Sequence, residues 1–288
     1  MKEFKKKEPI HKGWSSDQKF KVELADGRKA CLRLAPESAY RRKKLEMIVL
    51  KQLSEQGLPV VRPLEMGKAN GQVYQLLEWM KGQDCREILP QLSPSEAYQL
   101  GRQAGDILLS IHSLSIDQSQ MNWSDVYQTK IDKKVVAYQT CGLVYECGQS
   151  MLTFVKENRH LVGGRPIAYH HGDFHIGNFL LDEQQQLLVI DFDRLDIGDP
   201  WEEFNRLVFT ATESPQMASG MVDAYFKEGI PDDFWRLLAL YMTVNSLGAL
   251  AWAKKVDPAQ IPFMQEQAEK VVAWYDGYKR MIPTWYGQ

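Results

Sequence analysis

Three side chains that could do chemistry lie close together in the sequence. Asp173 is followed five residues later by Asn178, and a second aspartate, Asp191, comes 18 residues after Asp173. Carboxylate and amide oxygens are hard ligands of the kind that Mg²⁺ prefers, and Mg²⁺ is commonly shared with substrate phosphates. A carboxylate that does not bind the metal can orient an attacking oxygen. Side chains of these types, grouped in this way, favour a site for Mg²⁺ and a substrate that shares it.

The residues between Asn178 and Asp191 predict the structure that positions them. Two apolar runs, 179–181 and 187–190, flank the polar residues 182–186, which is the pattern of a β-hairpin. A hairpin with a polar loop would by itself explain this pattern. It would leave unexplained why the preceding loop carries His171, Asp173, His175 and Asn178. The hairpin and the catalytic interpretation are compatible, and we expect both.

Composition limits the class of protein. The chain has 288 residues, which is long for one domain, and its 44% hydrophobic and 25% charged residues are ordinary for a globular protein. Its four cysteines have no C-x-x-C spacing, which argues against a zinc site or a disulfide framework and favours the reducing cytoplasm. The basic N-terminus precedes no apolar region of a signal peptide, and the apolar stretch 237–253 contains polar residues, so a buried helix is expected there rather than a membrane span.

Charge is distributed unevenly along the chain. Residues 1–51 carry 15 Lys and Arg against 7 Asp and Glu, a balance of +8, whereas the remaining residues have a balance of −10. A basic first part suits an anionic nucleotide and an acidic second part suits a cationic partner, although solvated surface charges would also explain the imbalance. The net charge of −2 gives no support to nucleic-acid binding.

Hydrophobic periodicity predicts strands first and helices later. Strands at 19–25 and 28–34 flank the turn signal Asp26-Gly27, a helix follows at 37–56, and further strands are expected at 58–66 and 72–77. Ser93, Pro94 and Glu96 form the pattern of a capping box at the start of a helix. Further helices are predicted at about 124–138, 141–158, 201–212, 215–228, 231–255 and 258–280.

Two motifs relate the chain to a known family. His171-Gly172-Asp173 stands where protein kinases have His-Arg-Asp, and Ile190-Asp191-Phe192-Asp193 stands where they have Asp-Phe-Gly. In this form the motifs resemble those of the aminoglycoside phosphotransferase and choline kinase-like family. The resemblance implies an α+β, two-lobed protein-kinase-like fold. Its small N-terminal lobe, 1–77, would be an antiparallel sheet with one helix, a hinge would follow at 78–82, and the larger lobe, 83–288, would be mainly helical.

The same resemblance implies roles for individual residues. Asp173 would be the catalytic residue that receives the acceptor hydroxyl, and Asn178 and Asp191 would bind Mg²⁺. Arg33, in Ala30-Cys31-Leu32-Arg33, occupies the place of the phosphate-binding lysine of Val-Ala-Ile-Lys, and arginine keeps the charge. The residues expected to contact the nucleotide are Ser15, Ser16, Cys31, Arg33, Glu46, Glu78 and Met80.

Other residues are expected to support these. Glu203 follows Gly198-Asp199-Pro200 and stands where the family more often has an aspartate that braces the catalytic loop. His171 and His175 are interpreted as supports rather than bases, because a largely dissociative phosphoryl transfer demands little of its base. The helices after Asp199 should form the acceptor pocket. Aromatic and acidic residues available there are Trp201, Trp235, Trp252, Trp274, Trp285, Tyr286, Glu202, Asp232, Asp233 and Asp276.

The function that the resemblance implies is an O-phosphotransferase for a small molecule. It would move the γ-phosphate of ATP or GTP to a hydroxyl of an aminoglycoside-like antibiotic, with Mg²⁺ as cofactor. A metabolic kinase for choline, homoserine, methylthioribose or a sugar would carry the same motifs. A nucleotide-binding regulator without turnover is an alternative of another class. The expected partners are the nucleotide and a possibly cationic acceptor, without nucleic acid or membrane, and the expected state is a monomer or weak dimer.

Overall fold

The chain forms two compact units in a computed structural model that describes residues 4–11 and 17–288. The first unit comprises the described residues up to Ile88 together with His171–Asp173 and Gly177–Leu195. The second comprises Leu89–His170, Phe174–Ile176 and Asp196–Gln288. Asp173, Asn178 and Asp191 therefore all belong to the first unit, far along the chain from its strands. The predicted hinge at 78–82 and the predicted lobe boundaries remain predictions.

The first unit is built on an antiparallel sheet. Its strands among the described residues are β1 (Lys6–Ile10), β2 (Gln18–Glu23), β3 (Lys29–Pro36), β4 (Pro63–Ala69) and β5 (Gln72–Glu78). Their spatial order is β1-β2-β3-β5-β4. The sequence analysis did not predict β1, because its mostly charged and exposed residues lack the alternation of a half-buried strand.

The two faces of this sheet differ in polarity. One face forms an apolar core from Val22, Ala30, Leu32, Leu34 and Leu76. Because side chains alternate along a strand, Cys31 and Arg33 of β3 must lie on the other face. Strand register places Lys19 of β2 and Gln75 of β5 on either side of Arg33. The polar face is therefore the one that can meet an anionic ligand.

One long helix accompanies the sheet in this unit. Helix α1 (Tyr40–Glu55) follows a 3-10 turn at Glu37–Ala39 and ends before Gly57, whose φ of 79° suits a residue just past a helix end. This confirms the predicted helix at 37–56 apart from its first turn. Its buried side chains include the charged Lys43 and Glu46. Burial of two charged residues is costly unless they are paired, so this face must carry an ion network.

The remaining elements divide between the units. The other strands are β6 (Gln83–Asp84), β7 (Ala168–His170), β8 (Phe179–Leu181), β9 (Leu187–Val189) and β10 (Asp196–Gly198). The predicted hairpin is confirmed as β8 and β9, with β6 beside β8, whereas β7 pairs with β10 in the second unit. The other helices are α2 (Cys85–Ile88), α3 (Pro94–His112), α4 (Trp123–Thr140), α5 (Gly148–Asn158), α6 (Leu207–Glu213), α7 (Pro215–Tyr225), α8 (Asp232–Val256) and α9 (Ile261–Trp274).

Helices α3 and α7 pack closely in the second unit. The predicted capping box starts α3, because Ser93 Oγ accepts from the Glu96 amide and Glu96 Oε2 accepts from the Ser93 amide at 2.8 Å. A Cβ on Gly101 would lie 2.0 Å from the Met217 carbonyl oxygen, and one on Gly105 would lie 2.3 Å from that of Met221. Glycine is therefore required where these two helices cross.

Two predicted helices are too long. The helix predicted at 141–158 begins only at Gly148, because Gly142 has a φ of 73° that breaks a right-handed helix. The helix predicted at 258–280 ends at Trp274, and Tyr278 has a φ of 71°. The apolar stretch 237–253 lies inside α8, as expected. Within the described part of the chain, no helix has the length and apolar character needed to cross a membrane.

Candidate active site

Glycine at position 172 lets the loop that carries Asp173 follow its path. Gly172 has a φ of 85°, and a Cβ there would lie 1.9 Å from the carbonyl oxygen of Arg194. Any other residue would collide with the backbone of the segment that follows Asp191. This close approach explains in physical terms the glycine of His171-Gly172-Asp173.

His171 connects the loop to the end of β9. Its Nε2 lies 2.9 Å from the carbonyl oxygen of Ile190 and must donate to it, and its Nδ1 accepts from the Asp173 amide at 3.2 Å. These two partners fix a neutral imidazole with the proton on Nε2. The ring also packs against Phe192, with centroids 4.4 Å apart. Both nitrogens are engaged, which fits a support rather than a base.

Asn178 joins Asp173 to the residue before Asp191. Its Nδ2 donates to the backbone oxygen of Asp173 at 2.8 Å, and its own backbone oxygen accepts from the Ile190 amide at 3.0 Å. The next residue, Asp191, has a φ of 65°, a left-handed conformation that aspartate tolerates better than most residues. Asn178 is thus hydrogen-bonded to Asp173 on one side and to the residue before Asp191 on the other.

The two aspartates have different surroundings. Asp173 retains 21% of its side-chain exposure, and its Oδ2 lies 3.8 Å from Nη1 of Arg194. Asp191 Oδ1 accepts from Arg33 Nη1 at 2.9 Å, and its Oδ2 accepts from Lys19 Nζ at 3.0 Å. Burial alone would raise the pKa of Asp191, but Arg33 and Lys19 outweigh it and the pKa is lowered. Asp191 is therefore an ionised carboxylate, the form needed to bind a cation.

Arg33 is held by carboxylates on several sides. Its side chain is 3% exposed, and besides Asp191 it contacts Asp17 at 3.2 Å and Asp193 at 2.9 Å. Burial opposes its charge, but the surrounding carboxylates raise the pKa of the guanidinium. Glu46 is further away, with its Oε1 4.0 Å from Arg33 Nη1.

A second buried cation, Lys43, was not anticipated from the sequence. Its Nζ lies 2.5 Å from Asp17 Oδ2, 2.5 Å from Asp193 Oδ1 and 3.3 Å from Glu46 Oε2. Burial raises the pKa of Glu46, and Lys43 and Arg33 oppose that rise. We call the cations and carboxylates assembled here the ion cluster: Lys19, Arg33, Lys43, Asp17, Glu46, Asp191 and Asp193.

One pair of the ion cluster could be predicted from its spacing in the sequence. Lys43 precedes Glu46 by three residues on the helix, so the two share a face and can pair. The structure places this pair in the interior, with both side chains no more than 1% exposed. Asp17 and Asp193 carried no signal by themselves, because their role depends on contacts distant in sequence.

The structure describes three of the other residues that were predicted to contact the nucleotide. Ser15 and Ser16 lie outside the described residues. Cys31 shares the polar face with Arg33, and burial raises the pKa of its thiol, so it is a neutral side chain. Glu78 ends β5 and pairs through its side chain with Arg62 at 3.2 Å, and Met80 lies two residues further on. The adenine contacts of Glu78 and Met80 stay predictions.

The oxygen donors at this site fit a magnesium ion. Asp191 offers an ionised carboxylate, and the Asn178 side-chain amide points its nitrogen at the Asp173 carbonyl, which leaves its oxygen as the remaining donor. Two hard oxygen ligands from protein, with substrate phosphates completing the shell, are what Mg²⁺ usually takes. The residues present are therefore suited to a metal shared with a nucleotide.

Residues around Gly198-Asp199-Pro200 organise the second unit. Asp199 is fully buried and accepts from Arg165 at 2.8 and 3.0 Å and from the Tyr241 hydroxyl at 2.6 Å. Glu203 Oε1 accepts from the Phe174 amide at 3.4 Å, so its longer side chain does reach the loop after Asp173. His175 packs against Phe209, with centroids 5.1 Å apart.

The acidic residues considered for an acceptor pocket do not share one environment. Glu202 is buried and pairs with Lys130 at 2.7 Å. Asp232 and Asp233 are exposed in the first turn of α8. Among the aromatic candidates, Trp235 and Trp285 are core residues at 4% and 1% exposure.

A comparison of this chain with models of known protein families identifies its family. A model of the APH phosphotransferase enzyme family matches residues 7–239, which is most of the chain. The chain belongs to this family. As an APH family member it is a phosphotransferase, and the match includes the ion cluster, Asp173 and Asn178.

Solved structures of APH enzymes share its fold. A thermostable mutant of aminoglycoside phosphotransferase APH(4)-Ia, in a ternary complex with ADP and hygromycin B, is 17% identical, with a TM-score of 0.69 and 94% of each chain covered. The gentamicin complex of APH(2'')-IIa is 17% identical, with a TM-score of 0.67, covering 93% of this chain and 92% of that one. The aminoglycoside-3'-phosphotransferase of type VIII is 19% identical, with a TM-score of 0.59, covering 84% and 93%. The predicted α+β, protein-kinase-like fold is confirmed.

Proposed function

We propose that this APH family member is a small-molecule kinase that moves the γ-phosphate of ATP or GTP to a hydroxyl of an aminoglycoside-like acceptor. The observation that carries the proposal is that Asn178 is hydrogen-bonded both to Asp173 and to Ile190, the residue before Asp191. Asp191 itself accepts from the cations Arg33 and Lys19. These residues combine an accessible carboxylate, two hard oxygen donors and positive charge, which together are the parts that phosphoryl transfer needs.

Each residue has a separate task in this proposal. Asp173 orients the acceptor hydroxyl and receives its proton, with its backbone held by Asn178 and His171. Asn178 and Asp191 would hold Mg²⁺, which would supply positive charge against the donor phosphates. Arg33 contributes a fixed positive charge next to Asp191. Cys31, Glu78 and Met80 lie on or beside the strands that would receive the nucleotide base.

Asp191→Ala should abolish the dependence of nucleotide binding on Mg²⁺. In the wild type, Mg²⁺ should strengthen binding of ATP or GTP, whereas the variant should bind equally with and without the metal. Without Mg²⁺ the variant should bind at least as tightly as the wild type, because it lacks a carboxylate beside Arg33 and Lys19. Calorimetric titration in Mg²⁺ and in EDTA measures both effects. Asp132→Ala, at an exposed aspartate, is the control, and unchanged metal dependence in Asp191→Ala would remove Asp191 from this role.

The class of acceptor rests on charge and on relatives. Residues 52–288 carry a balance of −10, which favours a cationic acceptor. The structures of APH(4)-Ia and APH(2'')-IIa are complexes with hygromycin B and gentamicin. Glu202 is already paired with Lys130, so it is not an isolated buried carboxylate that could attract a cationic acceptor. The attraction has to come from the overall negative charge of residues 52–288.

A screen of acceptors at two salt concentrations tests this function. Nucleoside diphosphate release should be greatest with aminoglycosides, and their KM should rise with salt because attraction between exposed charges is screened over about 8–10 Å at physiological ionic strength. Choline, homoserine, methylthioribose and a neutral sugar complete the panel, and Asp173→Asn controls for contaminating kinases. Turnover confined to a neutral acceptor would contradict the acceptor class but keep the kinase. Nucleotide binding without turnover on any acceptor would favour a regulator.

A further inference from the structure

Lys19 and Arg33 form a pair of cations on two neighbouring strands. Lys19 of β2 lies directly opposite Arg33 of β3 in the antiparallel register, so both side chains project from the polar face of the sheet. They approach the same carboxylate from two directions, with Lys19 Nζ 3.0 Å from Asp191 Oδ2 and Arg33 Nη1 2.9 Å from Asp191 Oδ1.

The two cations differ in how firmly they are held. Arg33 is 3% exposed and its guanidinium also contacts Asp17 and Asp193, so moving it would leave buried carboxylates uncompensated. Lys19 keeps 12% of its side-chain exposure and reaches Asp191 through a flexible four-carbon stem. Of the pair, Lys19 is the cation that can exchange its partner.

The engagement of the other cations leaves this role to Lys19. Arg33 and Lys43 are each engaged by several carboxylates, and Arg42 pairs with Asp193 at 3.2 Å. A nucleotide polyphosphate brings further negative charge to Asp191. A positive group that turns from Asp191 to the phosphates would oppose this repulsion, and Lys19 is placed to supply it.

We propose that Lys19 is a second phosphate-binding residue of this enzyme, whose ammonium group contacts a polyphosphate oxygen of the bound nucleotide. This rests on the proposed function, because it requires a nucleotide at Asp191. Arg33 then acts as the fixed charge of the site and Lys19 as the mobile one. The alternative is that Lys19 only positions Asp191 and never touches the nucleotide.

Binding measurements on Lys19→Met separate these two roles. Affinity for ATP or GTP, whichever the wild type binds more tightly, should fall about 10- to 100-fold, the range for losing a charge-assisted hydrogen bond. The loss should appear both in Mg²⁺ and in EDTA, because the contact with phosphate does not pass through the metal. Affinity for the matching nucleoside, adenosine or guanosine, should change less than about twofold, because it has no phosphate.

Two further variants serve as matched controls. Lys19→Arg should recover most of the affinity, because it keeps the charge and the reach. Lys68→Met removes a lysine from β4 of the same sheet, where it pairs with Glu37 at the surface, and should leave nucleotide affinity unchanged.

Three other results of the Lys19→Met measurements would each contradict the proposal. A loss confined to the Mg²⁺ buffer would show that Lys19 acts through Asp191. An equal loss for the nucleoside would show a structural role, and an unchanged affinity would show that Lys19 makes no phosphate contact. If the wild type bound no nucleotide, the proposed function itself would fail and this proposal with it. That result is visible in the wild type alone and is therefore distinct from a failure of the Lys19 proposal.

Discussion

Asp173→Asn is expected to reduce turnover by about 10²- to 10⁴-fold, the range for loss of a positioned base. Nucleotide affinity should stay nearly unchanged, because Asp173 is outside the ion cluster and its Oδ2 lies 3.8 Å from Nη1 of Arg194. The loop should also keep its place, since His171 and Asn178 hold the backbone of residue 173 and not its carboxylate. The substitution therefore separates chemistry from binding.

Steady-state kinetics and nucleotide titration on the same preparation measure this prediction. Asp132→Asn makes the same chemical change at an exposed aspartate and should behave as the wild type. Turnover of Asp173→Asn within a few-fold of the wild type would mean that another residue orients the acceptor. A parallel loss of nucleotide affinity would mean that Asp173 supports the donor site instead.

Lys43→Met is expected to destabilise the first unit by about 3–5 kcal/mol, the cost of removing one partner from a buried ion network. Lys43 is fully buried, and its Nζ contacts Asp17, Glu46 and Asp193. Methionine fills a similar volume but leaves these carboxylates without that cation. Lys51→Met on the same helix removes a lysine that is 69% exposed and pairs with Glu55, so it should change stability by less than about 1 kcal/mol.

The destabilisation should depend on pH in a defined direction. Burial already raises the pKa of Glu46, and loss of Lys43 raises it further. A carboxyl group whose pKa is higher in the folded state binds more protons there, so the variant gains stability as pH falls. Hydrogen exchange of the α1 and β3 amides at pH 8 and pH 5.5 would show a larger difference from the wild type at pH 8. A difference below 1 kcal/mol at both pH values would mean that the buried carboxylates are satisfied without Lys43.

The sequence by itself determined the family and the fold class, and it predicted the three central residues of the candidate site. This was possible because Asp173, Asn178 and Asp191 are joined by local structure. Asn178 bonds the backbone of Asp173, and the short β8–β9 hairpin returns the chain so that Ile190 bonds Asn178. Residues that contact one another through a short stretch of chain keep a fixed spacing in the sequence, and such a spacing can be recognised without a structure.

The ion cluster could not be obtained in the same way. Its members come from four segments that are distant in sequence, around residues 17–19, 33, 43–46 and 191–193. A lysine on a helix is expected at the surface, and nothing local indicates that Lys43 is buried. Its burial is stable only because Asp17 and Asp193 arrive from elsewhere in the chain. The tertiary structure alone supplies them.

The register between β2 and β3 likewise could not be obtained from the sequence alone. The strands predicted at 19–25 and 28–34 leave only Asp26-Gly27 as the loop of the hairpin. In the structure the Leu24 amide bonds the Arg28 carbonyl and the Gly27 amide bonds the Leu24 carbonyl, so the loop has three residues. This places Lys19 opposite Arg33, whereas a slip of one residue would turn Lys19 to the apolar face. Alternation in the sequence determined which side chains share a face within each strand, and only the packing of that face against the core decided which residues meet across the strands.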